Sequence, residues 1–310
     1  MPSRPRAQVP PPAAATPEAD DFRRLRESGK AAGLSKTIGG AFVAARDALA
    51  RALVCAGVTP NHLTLLGFVV TCGAGYCLAR GAFQQVPYFY TGSGPVGWWP
   101  LLAGGFLVLA GAMDMLDGAV ARLGNLRTRF GGILDSSVDR FCDMAIFLGC
   151  AWCFMQTGNL TGQLLAVLAL CNAFLISYVK ARAEAIIEDC SVGYWLRGER
   201  FAAVLIGCVS GHVAAVLWQL AVLSFFTVLR RLDYARRAAA ALDGSRPAPR
   251  RGPEAGLLGV LQPWRHPRGS VPYDVVTGLN IAYIIVAPWL WAVLLAQGPY
   301  ADPLRRWLSG

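Results

Sequence analysis

The sequence predicts an all-α integral membrane protein: a six-helix transmembrane bundle, preceded by an N-terminal interfacial amphipathic helix and followed by one extra C-terminal apolar helix. Three observations carry that expectation. Of the 310 residues 55% are hydrophobic and only 15% charged, with a mean hydropathy of +0.42, whereas soluble domains carry roughly 25% charged residues. Apolar runs recur at the length of about 20 residues that crosses a hydrocarbon layer. Arginines gather in alternate connections, as the positive-inside rule requires. The net charge of +10 therefore reads as loops meeting anionic headgroups. No recognition motif surrounds the arginines, and no nucleic-acid partner is expected.

Residues 1–36 are rich in Pro and Ala without apolar periodicity, which predicts a disordered cytosolic tail. From 37 to 56, Phe42, Ala45, Leu49, Ala52 and Leu53 recur at helical spacing, with Arg46, Asp47 and Arg51 elsewhere on the wheel. That pattern predicts a helix lying in the interface. Pro60 opens the first span, with Asn61 or Thr64 as its cap. The connection from Gly81 to Gly97 has no Lys or Arg and leads into Trp98 and Trp99, an aromatic belt at the far interface.

Spans two to four are expected at about 98–123, 131–155 and 163–187. Two helices are expected at about 194–211 and 213–236, broken at Gly211-His212. Residues 238–272 read as a basic, partly disordered cytosolic loop, and Val275 to Ala296 is long enough to span. The chain thus divides into 1–36, a membrane domain at 37–237, a loop at 238–272 and an apolar C-terminal segment at 273–310. Loops after spans two and four hold arginine, so the N-terminus and those ends face the cytosol. Arg305 and Arg306 would break the rule if the last run spans. Nine cysteines are present, and the pair Cys150 and Cys153 at CxxC spacing reads as buried apolar thiols rather than a metal site.

The informative stretch is Met113 to Cys142. It reads Asp114-x2-Asp117-Gly118-x2-Ala121-Arg122, eight residues, then Gly131-x3-Asp135-x3-Asp139. Charge at membrane depth is costly and marks function. Asp114 and Asp117 share one helix face, and Asp135 and Asp139 another. A short loop makes the two spans antiparallel neighbours. Counting inward at ~1.5 Å per residue pairs Asp117 with Asp135 and Asp114 with Asp139. Such a group of carboxylates calls for cations, and all-oxygen donors favour Mg²⁺, Mn²⁺ or Ca²⁺ over zinc. Two divalent ions would clamp a phosphate or pyrophosphate. Gly118 lets a ligand approach the backbone, Ala121 keeps that face small, and Arg122 offers a fork to phosphate.

These residues resemble the signature of the CDP-alcohol phosphatidyltransferases at every specified position, and the resemblance extends over about 60–237. It implies a membrane bundle, usually a homodimer, that moves a phosphatidyl group from CDP-diacylglycerol or a similar lipid onto a small alcohol and releases CMP. It implies that Asp114, Asp117, Asp135 and Asp139 hold two ions, Mg²⁺ or Mn²⁺, and that Asp139 is also the catalytic base. It places Gly118, Ala121, Arg122, Thr128, Gly131, Asn61 and Thr64 against the nucleotide. The run Ser177 to Glu184 resembles members that use phosphorylated alcohols, inositol phosphate above all, with Lys180, Arg182 and Arg200 on the acceptor. Glycerol 3-phosphate, inositol, serine or another alcohol are the other acceptors. Asp143 continues the Asp135/Asp139 face and is expected to be structural, with Arg140 as partner. The enzyme would sit in the cell (inner) membrane. The alternative from another class is a cation- or proton-coupled transporter, since intramembrane aspartates also relay ions. No internal repeat supports it, and it leaves Gly118, Arg122 and Gly131 unexplained.

Overall fold

A computed structural model of the chain describes residues 34–89, 95–244, 271–295 and 302–309. Most of the expected N-terminal tail and of the basic loop therefore lies outside the described residues. The described residues are helical, with no named strand. The helices are α1 (Leu34–Cys55), α2 (Pro60–Gly81), α3 (Trp99–Leu123), α4 (Arg129–Gln156), α5 (Leu160–Glu184), α6 (Arg197–Ser210), α7 (Val213–Leu242), α8 (Val271–Leu295) and α9 (Pro303–Ser309).

Among the described residues five helices are long and apolar enough to cross a membrane: α2, α3, α5, α7 and the 273–290 part of α8. The chain is a multi-pass membrane protein. The expected count of six spans before the last helix is not reached on that measure. α4 is long enough, but Asp135, Asp139, Arg140 and Asp143 interrupt its apolar run. α6 has only 14 residues, about 21 Å at the usual rise. The expected start at 194 is wrong because residues 185–196 run as an irregular segment, with Tyr194 and Trp195 buried. Trp195 N–H donates to Thr227 Oγ1 at 3.3 Å, so that backbone is bonded across to α7 rather than along a helix.

Local chemistry explains most boundaries. Pro60 stands at the first turn of α2 and Thr59 is its N-cap, because a missing N–H is harmless there. Asn61 and Thr64 lie inside the helix and cap nothing. Thr128 and Asn159 cap α4 and α5 through their side chains. Between α6 and α7, Gly211 has φ +72°, and a Cβ there would stand 2.6 Å from Val86 N. Both the left-handed backbone and the approach of the α2–α3 loop require glycine.

α2 is the hub, packing along both α3 and α4. Its contact with α4 depends on paired glycines: a Cβ on Gly75 would strike the Ala145 carbonyl, and one on Gly149 would strike that of Gly75. Small residues let helix backbones meet in lipid. Gly75→Val is expected to break this contact, overpacking by about 1–3 kcal/mol or more. Thermal unfolding and gel filtration in detergent check it; a wild-type midpoint would contradict it. The core continues through Leu78, Leu107, Phe147, Phe154, Ile176 and Leu217, and α5 packs on both α4 and α7. Asn172 donates to Ala221 O at 2.8 Å, and buried Arg231 donates to Ile176 O and Val192 O. Cys77, Cys150, Cys153 and Cys208 are buried free thiols, while Cys72 and Cys171 face outward.

α1 packs on α3 through Ala50, Leu53 and Val54. The expected stripe of Phe42, Ala45 and Leu49 faces away from the bundle, leaving it available to an interface. α8 runs alongside α6: Tyr273 meets Glu199 in the first turn of α6, and Ile284 meets His212 just beyond its end. α8 therefore runs in the direction of α6. Beyond it, Asp302 accepts from Leu160 N (2.8 Å) and Thr161 N (3.0 Å), and Leu304 N donates to Thr161 Oγ1. Asp302 thus caps α5 at the end away from the arginines. The side chains of Arg305 and Arg306 lie outside the described residues.

Candidate active site

α3 and α4 face each other, as their short loop predicts, and meet through side chains, with carboxylate oxygens from the two helices within 4.8 Å. α2 contacts both, and α6 contacts α3. Between them is a cavity of about 530 Å³ lined by Asp114, Asp117, Asp135, Asp139, Arg197 and Arg200 among others. Its polar wall comes from those groups. Val108, Met115, Ile146, Phe147, Val204 and Leu205 make the remainder largely apolar.

Carboxylate oxygens of Asp114, Asp135 and Asp139 lie within 4.8 Å of one another. Asp114 thus joins both aspartates of α4, rather than pairing with Asp139 alone. Asp117 stands outside that trio and accepts from Thr64 Oγ1 at 2.8 Å. Pro60 O, 3.1 Å away, shares that single hydroxyl proton, so α2 orients Asp117. Asp139 is 9% exposed. Three carboxylates so close need cations, and one is present in the fold. Arg197 reaches from the start of α6, Nη1 to Asp114 Oδ1 at 2.9 Å and Nη2 to Asp139 Oδ1 at 2.5 Å. The sequence reading assigned Arg197 no role. A signal existed in Arg197-x2-Arg200, which sets two arginines on one helix face, but the face's direction did not.

Arg200 is 3% exposed. Its Nη2 lies 3.1 Å from Asp143 Oδ2, and its Nη1 donates to Trp195 O at 3.2 Å. Asp143 is therefore held by Arg200 more closely than by Arg140, whose Nε is 3.8 Å away. Lys180 pairs with Glu184 at 3.7 Å, and Arg182 is exposed. Neither lines the aspartate cavity. Tyr194 lies between the spans, and burial pushes its phenol up from its ordinary pKa, so it remains a donor at neutral pH.

At the loop end of α3 and α4, Arg122 folds over Gly118, where a Cβ would stand 3.3 Å from Nη1. Gly131 faces Thr128 Oγ1 at 3.0 Å and Asn61 Oδ1 at 3.4 Å from a Cβ built on it. Thr128 Oγ1 also accepts from Gly131 N at 2.9 Å. The fold thus gathers Asn61, Thr128 and Gly131 in one corner and Gly118 with Arg122 in another. Ala121 is half-buried.

Comparison with known proteins bears on this arrangement. The family model for CDP-alcohol phosphatidyltransferase matches residues 57–229. The archaetidylinositol phosphate synthase of Methanothermobacter thermautotrophicus is 36% identical over 181 residues, covering 56% of this chain and 81% of that protein. The phosphatidylinositol phosphate synthase of Mycobacteroides abscessus is 37% identical over 213 residues, covering 65% and 88%. Among solved structures, the Mycobacterium tuberculosis phosphatidylinositol phosphate synthase with CDP-DAG bound matches with a TM-score of 0.53 and 28% identity, over 61% of this chain and 92% of that one. The same enzyme with manganese and citrate matches with a TM-score of 0.53 and 27% identity, over 69% and 97%.

Proposed function

This chain belongs to the CDP-alcohol phosphatidyltransferase family, and on that premise we propose that it transfers the phosphatidyl group of CDP-diacylglycerol, or a related CDP-lipid, to inositol phosphate. CMP is the other product. The family membership sets the transporter reading aside. The observation that carries the proposal is the aspartate trio with Arg197 against it, in a cavity whose remaining lining is largely apolar. Relatives named archaetidylinositol phosphate synthase and phosphatidylinositol phosphate synthase support the choice of acceptor.

The residues fit divalent metal. Carboxylate oxygens within 4.8 Å form a hard, all-oxygen donor set suited to Mg²⁺ or Mn²⁺. Asp114, Asp135 and Asp139 would hold it, with Asp117 held alongside by Thr64. Such ions supply charge neutralisation at the pyrophosphate and ease the departure of CMP. The other roles belong to side chains. Asp139 accepts the proton of the acceptor hydroxyl as that oxygen bonds to the lipid phosphorus and the bond to CMP breaks. Arg197 offers its fork to the acceptor's phosphate, and Arg200 braces the wall behind it. Asn61, Gly118, Ala121, Arg122, Thr128 and Gly131 take the nucleotide. The apolar lining takes the start of the acyl chains.

The arginine-bearing ends of the helices support an active site that faces the cytosol, in the cell membrane. The matched segment falls inside the catalytic body we assign to 37–237, and the family's usual assembly supports a homodimer. One experiment tests the reaction. Purified protein is incubated with CDP-diacylglycerol, Mn²⁺ and a panel of alcohols, and CMP and the lipid product are measured. Inositol phosphate is expected to give the fastest metal-dependent turnover, by at least about tenfold. Faster turnover with glycerol 3-phosphate or free inositol would replace this acceptor.

A further inference from the structure

The family match ends at residue 229, yet α8 is bonded to the catalytic body along its length. Tyr273 donates to Glu199 Oε1 at 2.6 Å, and Tyr194 donates to Thr277 Oγ1 at 3.0 Å. Gln219 Nε2 donates to Asn280 Oδ1 at 2.5 Å. Ile284 O lies 3.0 Å from His212 Nδ1. Residues 273, 277, 280 and 284 share one helix face, so a single polar stripe sets the register of α8 against α6 and α7. Interhelical polar contacts serve this purpose in lipid. The Asp302 cap on α5 ties down the chain beyond the far end of the helix.

The stripe meets α6 at a consequential place. Arg197 and Arg200, three residues apart, look into the aspartate cavity. Glu199, in the same turn, looks away from it and onto α8. A second cavity of about 300 Å³ lies there, lined by Tyr194, Trp195, Glu199, Tyr273, Thr277 and Asn280. The turn is thus held from both sides, by Asp114, Asp139 and Asp143 on one and by Tyr273 on the other. Trp195 links them, since its carbonyl accepts from Arg200 and Tyr194, its neighbour in sequence, packs a tilted ring on Tyr273 with centroids 5.6 Å apart.

We propose that α8 is a positioning element of the active site, in which Tyr273, through Glu199, holds the first turn of α6 so that Arg197 and Arg200 face the aspartates. Tyr273 touches no substrate and acts through the helix it grips. A hydrogen bond to a carboxylate is among the stronger neutral-donor bonds. The inference rests on the proposed function only in taking Arg197 and Arg200 as the acceptor's side of the site.

The test uses the full chain in detergent and follows CMP release against acceptor and CDP-lipid concentration separately. Tyr273→Phe is expected to raise KM for the acceptor roughly fivefold, part of what a hydrogen bond to a charged group contributes. KM for the CDP-lipid and the thermal midpoint stay close to wild type. Glu199→Ala reproduces this, Glu199→Gln, which keeps an acceptor oxygen for Tyr273, stays near wild type, and the double variant Tyr273→Phe/Glu199→Ala is no worse than Glu199→Ala alone. An unchanged acceptor KM in Tyr273→Phe overturns the proposal. So does a parallel rise of both KM values with a fallen midpoint, which marks a purely structural contact, or a failure of Glu199→Gln to preserve function. The measurements are made with whichever alcohol the wild-type protein uses. A wild-type protein that ignores inositol phosphate thus refutes the acceptor and leaves the role of α8 still decided by the variants.

Discussion

Asp139→Asn is expected to lower CMP release by about 10³-fold or more, in a protein that still folds and inserts. Asparagine keeps the shape of the side chain but can neither take a proton nor carry charge. General-base catalysis alone contributes roughly 10²–10⁴-fold, and the substitution also removes one of the three clustered carboxylates. The buried position of Asp139 leaves little room for water to replace it. A second measurement separates chemistry from folding. Wild-type protein gains thermal stability on adding Mn²⁺, because a ligand that binds only the folded state stabilises it; Asp139→Asn loses most of that gain while its metal-free midpoint changes little. Turnover within tenfold of wild type would remove Asp139 from the mechanism.

The next largest effect is expected at Arg197. Its guanidinium joins Asp114 on α3 to Asp139 on α4. Arg197→Ala is expected to raise KM for a phosphorylated acceptor by about 30-fold, the scale of a lost charge-assisted contact. Arg197→Lys recovers only part, since an ammonium lacks the fork that spans two carboxylates. The metal-free protein should also lose stability in Arg197→Ala, because the aspartates lose the cation bonded to two of them. Added Mn²⁺ should restore it, so the midpoint of this variant responds more steeply to metal than that of wild type. Titrating the ion against thermal unfolding checks this. An acceptor KM and a metal-free midpoint both equal to wild type would contradict the role.

The helices and the aspartates were legible because each rests on local chemistry. Apolar length and arginine placement marked the spans, and Pro60 marked the start of α2 to within a residue. Thr128 and Gly131 stand in one corner with Asn61, although they are 67 and 70 residues further along the chain; the family resemblance implies the same grouping. Other residues take partners that the motif does not reveal. Lys180 pairs with Glu184 one helical turn away and does not line the aspartate cavity. Arg200 lines the cavity, and the fold also bonds it to Asp143 and Trp195 O. Arg197 was passed over because nothing within its own segment says which way the first turn of α6 faces.

By itself, the sequence determined that the chain enters a membrane, that its spans carry aspartates at one end, and that their spacing matches a phosphatidyltransferase. Those properties depend on hydropathy, helical periodicity and residue type, all of which are local. Only the tertiary structure decided that Asp114 joins Asp135 and Asp139 while Asp117 turns to Thr64, and that Arg197 closes the trio. It alone brought α8 against α6. Within lipid the hydrophobic effect does not drive one apolar helix onto another, so partners are chosen by small-residue contacts and scattered polar bonds. Gly75 against Ala145 and Tyr273 against Glu199 are such choices, made between residues 70 and 74 positions apart.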